Sequence, residues 1–135
     1  MIDTLKRNGQ SPVISYINLP ITPMGAPRMT RADKWKQRDV VLRYHSYRDS
    51  VREFCKRYGY EQGETLDIVF TIPMPPSWSA KKREKFLGKP HQQKFDIDNL
   101  IKAWLDALLT EDSHVWSIKA QKIWGEEGNI AVAPL

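Results

Sequence analysis

The stretch KFDIDNLIKAWLDALLTEDSHVW, residues 94–116, places Asp96, Asp98, Asp106, Glu111 and Asp112 in one short segment of a chain whose formal net charge is +5. Acids so spaced have two uses. At a helix start a carboxylate caps exposed N–H groups and favours the positive end of the helix dipole. One carboxylate suffices for that, and a second beside it adds like-charge repulsion that a divalent cation removes. Hard oxygen ligands suit magnesium or manganese, held by a few carboxylates while water and a substrate phosphate complete the octahedron. A calcium loop beginning at Asp96 is excluded, because it would need an oxygen ligand at Leu100, glycine at Ile101 and glutamate at Ala107. Zinc is disfavoured, since His45, His91 and His114 are scattered and Cys55 is the single cysteine. Capping and metal binding both remain open on the residues alone.

The segment before the acids has the opposite charge. Residues 79–95 carry Lys81, Lys82, Arg83, Lys85, Lys89 and Lys94 against Glu84 alone, a local +5, whereas residues 96–112 carry five acids against Lys102, a local −4. A lysine run is commonly a solvated surface loop. Placed ahead of an anionic site, it also suits a polyanion, because lysines over phosphates release counterions and give sequence-independent affinity.

The elements that must position these groups are legible in the periodicity. Ile97, Leu100, Ile101, Trp104, Leu105, Leu108 and Leu109 form one apolar stripe of a helix, with Asp96 and Asp98 at its start and Lys102 four residues after Asp98, the spacing of an ion pair. A second helix over 44–58 is indicated by Tyr44, Tyr47, Val51, Phe54, Cys55 and Tyr58, and Gly59 stops it. Residues 11–20 alternate as a strand, and residues from Thr65 read as a second, central strand. Residues 115–125 and 129–135, joined by GEEGN, read as a closing hairpin. The proline-rich and basic loop after Pro20 becomes helical past Asp33 in this reading, and its Arg28 and Arg31 join the basic surface. The order β-α-β-α-β-β implies an α/β (α+β-like) fold with a mixed sheet and helices packed on one face. At 135 residues, 41% hydrophobic and 27% charged, the expectation is one domain over 1–135, with 79–95 as a basic arm or loop within it. No apolar run is long enough to span a bilayer, and the N-terminus lacks a signal-peptide core, so a cytoplasmic location is expected.

Residues 73–125 closely resemble the RusA family of Holliday junction resolvases, through the aspartate pair of DIDNL, the lysine of LIKA, the DAL helix end and the acids of EDSHVW. The resemblance implies a magnesium-dependent endodeoxyribonuclease of bacteria or their phages, acting as a homodimer that nicks two opposed strands of a four-way DNA junction in recombination and repair. By the same resemblance Asp96, Asp98 and Asp112 are metal ligands and catalytic residues, and Lys102 lies near the scissile phosphate. Asn99 either orients the ligands or caps the helix. Only Leu109 and Thr110 separate Leu108 from Glu111, so Glu111 competes with Asp112 as third ligand. The arm from Lys81 to Lys94 holds DNA over the acids. A nuclease of wider branched-DNA taste and a non-catalytic junction-binding protein are the alternatives. Trp35 and Trp78 either stack on bases at the crossover or pack.

Overall fold

A computed structural model describes residues 2–7, 10–27 and 39–134. The expected helix start past Asp33, together with Arg28, Arg31 and Trp35, lies outside these residues. The chain orders as β1 (Ile2–Arg7), β2 (Gln10–Leu19), α1 (Asp39–Tyr58), β3 (Thr65–Pro73), α2 (Ala80–Phe86), α3 (Ile97–Leu108), β4 (Ser117–Gly125) and β5 (Asn129–Val132). The expected β-α-β-α-β-β order is present as β2, α1, β3, α3, β4 and β5. Strand β1, antiparallel to β2, and the short helix α2 inside the basic arm are additions to it.

The sheet is mixed, in the order β1-β2-β5-β3-β4. Strand β3 is central among the last three, as its β-branched and apolar composition implies. The expected hairpin of β4 and β5 does not form. β4 pairs with β3 in parallel and β5 pairs with β3 antiparallel, so the two strands flank β3 from opposite sides. Their connection crosses the end of β3. It does so at glycines: a Cβ on Gly125 would meet the Thr71 side chain, and one on Gly128 would meet Thr22. Turn residues between two alternating runs signal a reversal, but they do not say whether a third strand lies between the arms.

Register puts alternate residues of each strand on one face. Ile17 stands opposite Val132, Leu19 opposite Ile130, Ile68 opposite Val132 and Phe70 opposite Ile130. These side chains form one core with Tyr44, Tyr47, Val51 and Cys55 of α1 and with Leu100, Ala103, Trp104, Leu105 and Ala107 of α3, so both helices pack on that face. Burial pushes the Cys55 thiol up to about 12, as expected of a cysteine that fills core space rather than reacts. Helix α1 ends where Gly59 takes φ of 71°, letting Gly59 N–H reach Lys56 O and Tyr60 N–H reach Cys55 O at 2.8 Å. At the centre of the core, Trp104 is fully buried and its Nε1–H donates to Gln62 Oε1 at 3.2 Å.

Candidate active site and nucleic-acid interface

The basic arm is a short helix followed by a strap. Ser79 caps α2 by accepting from Lys82 N–H at 3.2 Å, and no residue of α2 is buried. Lys81, Lys82 and Lys85 therefore face solvent, with Lys82 lying 4.2 Å from the centre of the Trp78 ring. Trp78 packs, its ring being 4.8 Å from that of Trp124 and 5.2 Å from that of Phe86. Arg83 turns back onto the fold, donating to Pro75 O at 2.8 Å and pairing with Glu126 at 2.6 Å.

After Gly88 the chain runs along the outer edge of β4. Gly88 N–H donates to Trp124 O, Trp124 N–H to Lys89 O, and His91 N–H to Lys122 O at 3.0 Å. Lys122 then fastens the end of this strap from within the sheet: its ammonium donates to Gln93 O at 2.6 Å and to Phe95 O. Those carbonyls lie three residues and one residue before Asp96. The exposed Lys89 and Lys94 are carried on the strap, so cationic side chains lead the chain to the first acid. His91 is only 4% exposed, its ring centre lies 4.3 Å from that of Trp124, and its Nδ1 has no partner. Burial, and then the charge of Lys122, hold its pKa below the usual histidine range.

Asp96 occupies the N-cap position of α3 with extended backbone, yet its carboxylate makes no capping hydrogen bond; only its carbonyl accepts, from Asn99 and Leu100 N–H. Asp98, in the first turn, accepts the adjacent Asn99 N–H at 2.9 Å. Both acids are exposed. Capping thus leaves the Asp96 carboxylate unaccounted for, and the two acids together offer the oxygen donors that magnesium takes with water and phosphate. The Asn99 side chain neither caps nor turns to the acids: its amide donates to Ala26 O at 3.3 Å, tying the proline loop to the helix start.

One turn along, Lys102 pairs with Asp106 at 3.6 Å rather than with Asp98, whose carboxylate is turned to the backbone. Helix α1 meets the far end of α3 through two arginines. Arg48 Nη2 donates to Asp106 O at 3.1 Å and Arg52 Nε to Ala107 O at 2.7 Å, which satisfies last-turn carbonyls and offsets the negative end of the dipole.

The last two acids stand apart from the first. A helix of 12 residues is about 18 Å long, and Glu111 and Asp112 follow its C-terminus. Glu111 Oε1 accepts Ser113 N–H at 3.0 Å, closing a local turn, and Asp112 O accepts Val115 N–H. The sheet does return past the start of α3, but Lys122 is the residue that arrives there. Among the described residues no three His, Cys, Asp or Glu side chains converge as a metal-holding group. Site reasoning from sequence passed over Lys122, Arg48, Arg52 and Tyr44. Lys122 carried a signal, since a lysine alternating with Trp116, Ile118 and Ala120 occupies the apolar parity of its strand. The arginines carried none, because their partners are carbonyls.

The fold is thus an α+β domain with a mixed sheet, and an exposed aspartate pair and a lysine one turn on stand at the start of α3, where the lysine-bearing strap ends. The family model for endodeoxyribonuclease RusA matches residues 19–133, and the chain belongs to that family. The family indicates a hydrolase of DNA phosphodiester bonds that acts on branched DNA. No curated protein matches the chain. Among the described residues no helix is long and apolar enough to cross a membrane.

Proposed function

We propose that the protein is a magnesium-dependent, structure-selective endodeoxyribonuclease that resolves four-way DNA junctions by paired nicks, as a homodimer, in recombination and repair in the cytoplasm. The observation that carries this reading is the Asp96 carboxylate, which stands at a helix N-cap without capping it, two residues from a second exposed acid. Asp96 and Asp98 would hold magnesium, with manganese as a substitute. When bound, the metal supplies positive charge at a phosphate oxygen and a more acidic water, the chemistry that leaves 5′-phosphate and 3′-hydroxyl ends. Lys102 neutralises charge that develops on the scissile phosphate. Lys81, Lys82, Lys85, Lys89 and Lys94 hold the flanking backbone, so that DNA is not repelled by the acids.

Asp112 follows the opposite end of α3 from the pair, so as third ligand it would be supplied by a second copy of the chain. The homodimer reading draws support from the start of β4, which the strap leaves open at the sheet edge, where Ile118 is 44% exposed and Trp116, just before the strand, is 75% exposed. A two-fold dimer also matches the two-fold symmetry of a junction.

The test is nicking of a synthetic mobile four-way junction, each strand labelled in turn, beside flap and fork substrates, with wild type and Asp98→Asn. Paired symmetric nicks that need magnesium and vanish in Asp98→Asn, with junction binding retained, are the expected result. Equal cutting of flaps and forks overturns junction selectivity. Binding without nicks under magnesium or manganese overturns catalysis.

A further inference from the structure

Tyr44, Arg48 and Arg52 follow one another at four-residue spacing along α1 and face Lys102 and Asp106, four residues apart on α3. Between the two helices lies a cavity of about 580 Å³ lined by these five side chains. Part of its charge is internally matched. Lys102 pairs with Asp106, and Arg52 pairs with Asp49 at 3.3 Å on the exposed surface. The carbonyls at the end of α3 engage one nitrogen of each arginine.

Two buried donors are left over, and helix capping explains neither. Tyr44 is 4% exposed and its hydroxyl has no hydrogen-bond partner; Arg48 Nε is buried and also has none. A buried donor without an acceptor is costly to keep, so two of them beside guanidinium groups suit an acceptor that arrives from outside. The acceptor should be anionic, because three cations line the cavity against Asp106 alone. It should also carry several oxygens, because the unmatched donors sit on different side chains. The hydroxyl stays protonated: burial and the nearby Asp106 raise its pKa, so it can only add to the donor set.

Resting on the nuclease reading above, we propose that the cavity lined by Tyr44, Arg48, Arg52 and Lys102 is a second phosphate subsite, which holds a backbone phosphate of the cleaved strand next to the scissile one. The stripe Asp98, Lys102, Asp106 then marks the path of the strand, from the acids at the start of α3 along the groove between α3 and α1. Contacts of this kind position the backbone and read no sequence. They fix which phosphate reaches Asp96 and Asp98.

The experiment replaces single phosphates of one junction strand by uncharged methylphosphonates, one position at a time. Junction binding is measured in calcium for wild type, Arg48→Gln and Tyr44→Phe, and melting temperature and magnesium-dependent nicking are recorded separately. One position should weaken wild-type binding about five- to tenfold while costing Arg48→Gln less than about twofold, since the interaction is already gone. Tyr44→Phe should bind the unmodified junction about two- to threefold more weakly without loss of melting temperature, because it removes only an unpartnered hydroxyl. If wild type and both variants respond alike at every position, or if Tyr44→Phe binds as wild type does, the subsite is overturned. Coupling at one position without nicks supports the subsite and refutes the nuclease; nicks without coupling do the reverse.

Discussion

Lys122 supports the acids from the sheet, and replacing it tests whether the strap sets Asp96. In Lys122→Met the stem keeps its length and the ammonium is lost, which frees Gln93 O and Phe95 O while leaving the backbone bond from His91 N–H to Lys122 O in place. Hydrogen bonds from a charged donor contribute about 1.5–3 kcal/mol each; both of these lie near solvent, so about 1.5–3 kcal/mol for the two together is the appropriate scale. That equals about a ten- to hundredfold shift toward an undocked strap. Two readouts follow. Amide hydrogen exchange of residues 92–96 should accelerate by a comparable factor, and the initial nicking rate at limiting magnesium should fall about tenfold and recover in part at high magnesium. Lys122→Arg keeps the charge and should fall in between. Unchanged exchange and an unchanged magnesium dependence in Lys122→Met would refute the idea that this lysine holds the strap.

Two further outcomes are expected. His91 has its pKa held below the ordinary histidine value by burial and then by Lys122; the unfolded chain therefore binds the proton first, so the contribution is full above about pH 6.5, the value for an unperturbed histidine, and is lost as pH falls toward the folded value. The melting temperature should accordingly drop more between about pH 7.5 and pH 5.5 for wild type than for His91→Phe, and equal drops would refute this. Replacing Lys81, Lys85 and Lys89 together by glutamine should lower the slope of log binding constant against log salt by about 2–3, with no change in sequence preference, whereas an unchanged slope would remove the arm from the DNA interface.

Local patterning determined much of this protein. The apolar stripe from Ile97 to Leu109 makes α3 whatever surrounds it, the residues flanking Gly59 make the end of α1, and the placement of Asp96, Asp98 and Lys102 along α3 is legible because helix geometry sets their spacing. Even there, structure decided between uses: Asp96 stands at the cap position without capping, Lys102 pairs with Asp106 instead of Asp98, and Asn99 reaches Ala26. Long-range pairing lay beyond the local pattern. That β3 separates β4 from β5 depends on which edges find each other, and the backbone groups that form those ladders are the same in every residue. The reach of Lys122 to the strap, the hold of Arg48 and Arg52 on the end of α3, and the separation of Asp112 from the aspartate pair all follow from that arrangement. Side-chain spacing fixes what lies one turn away, and only the packed fold decides what meets across a sheet or at the opposite end of a helix.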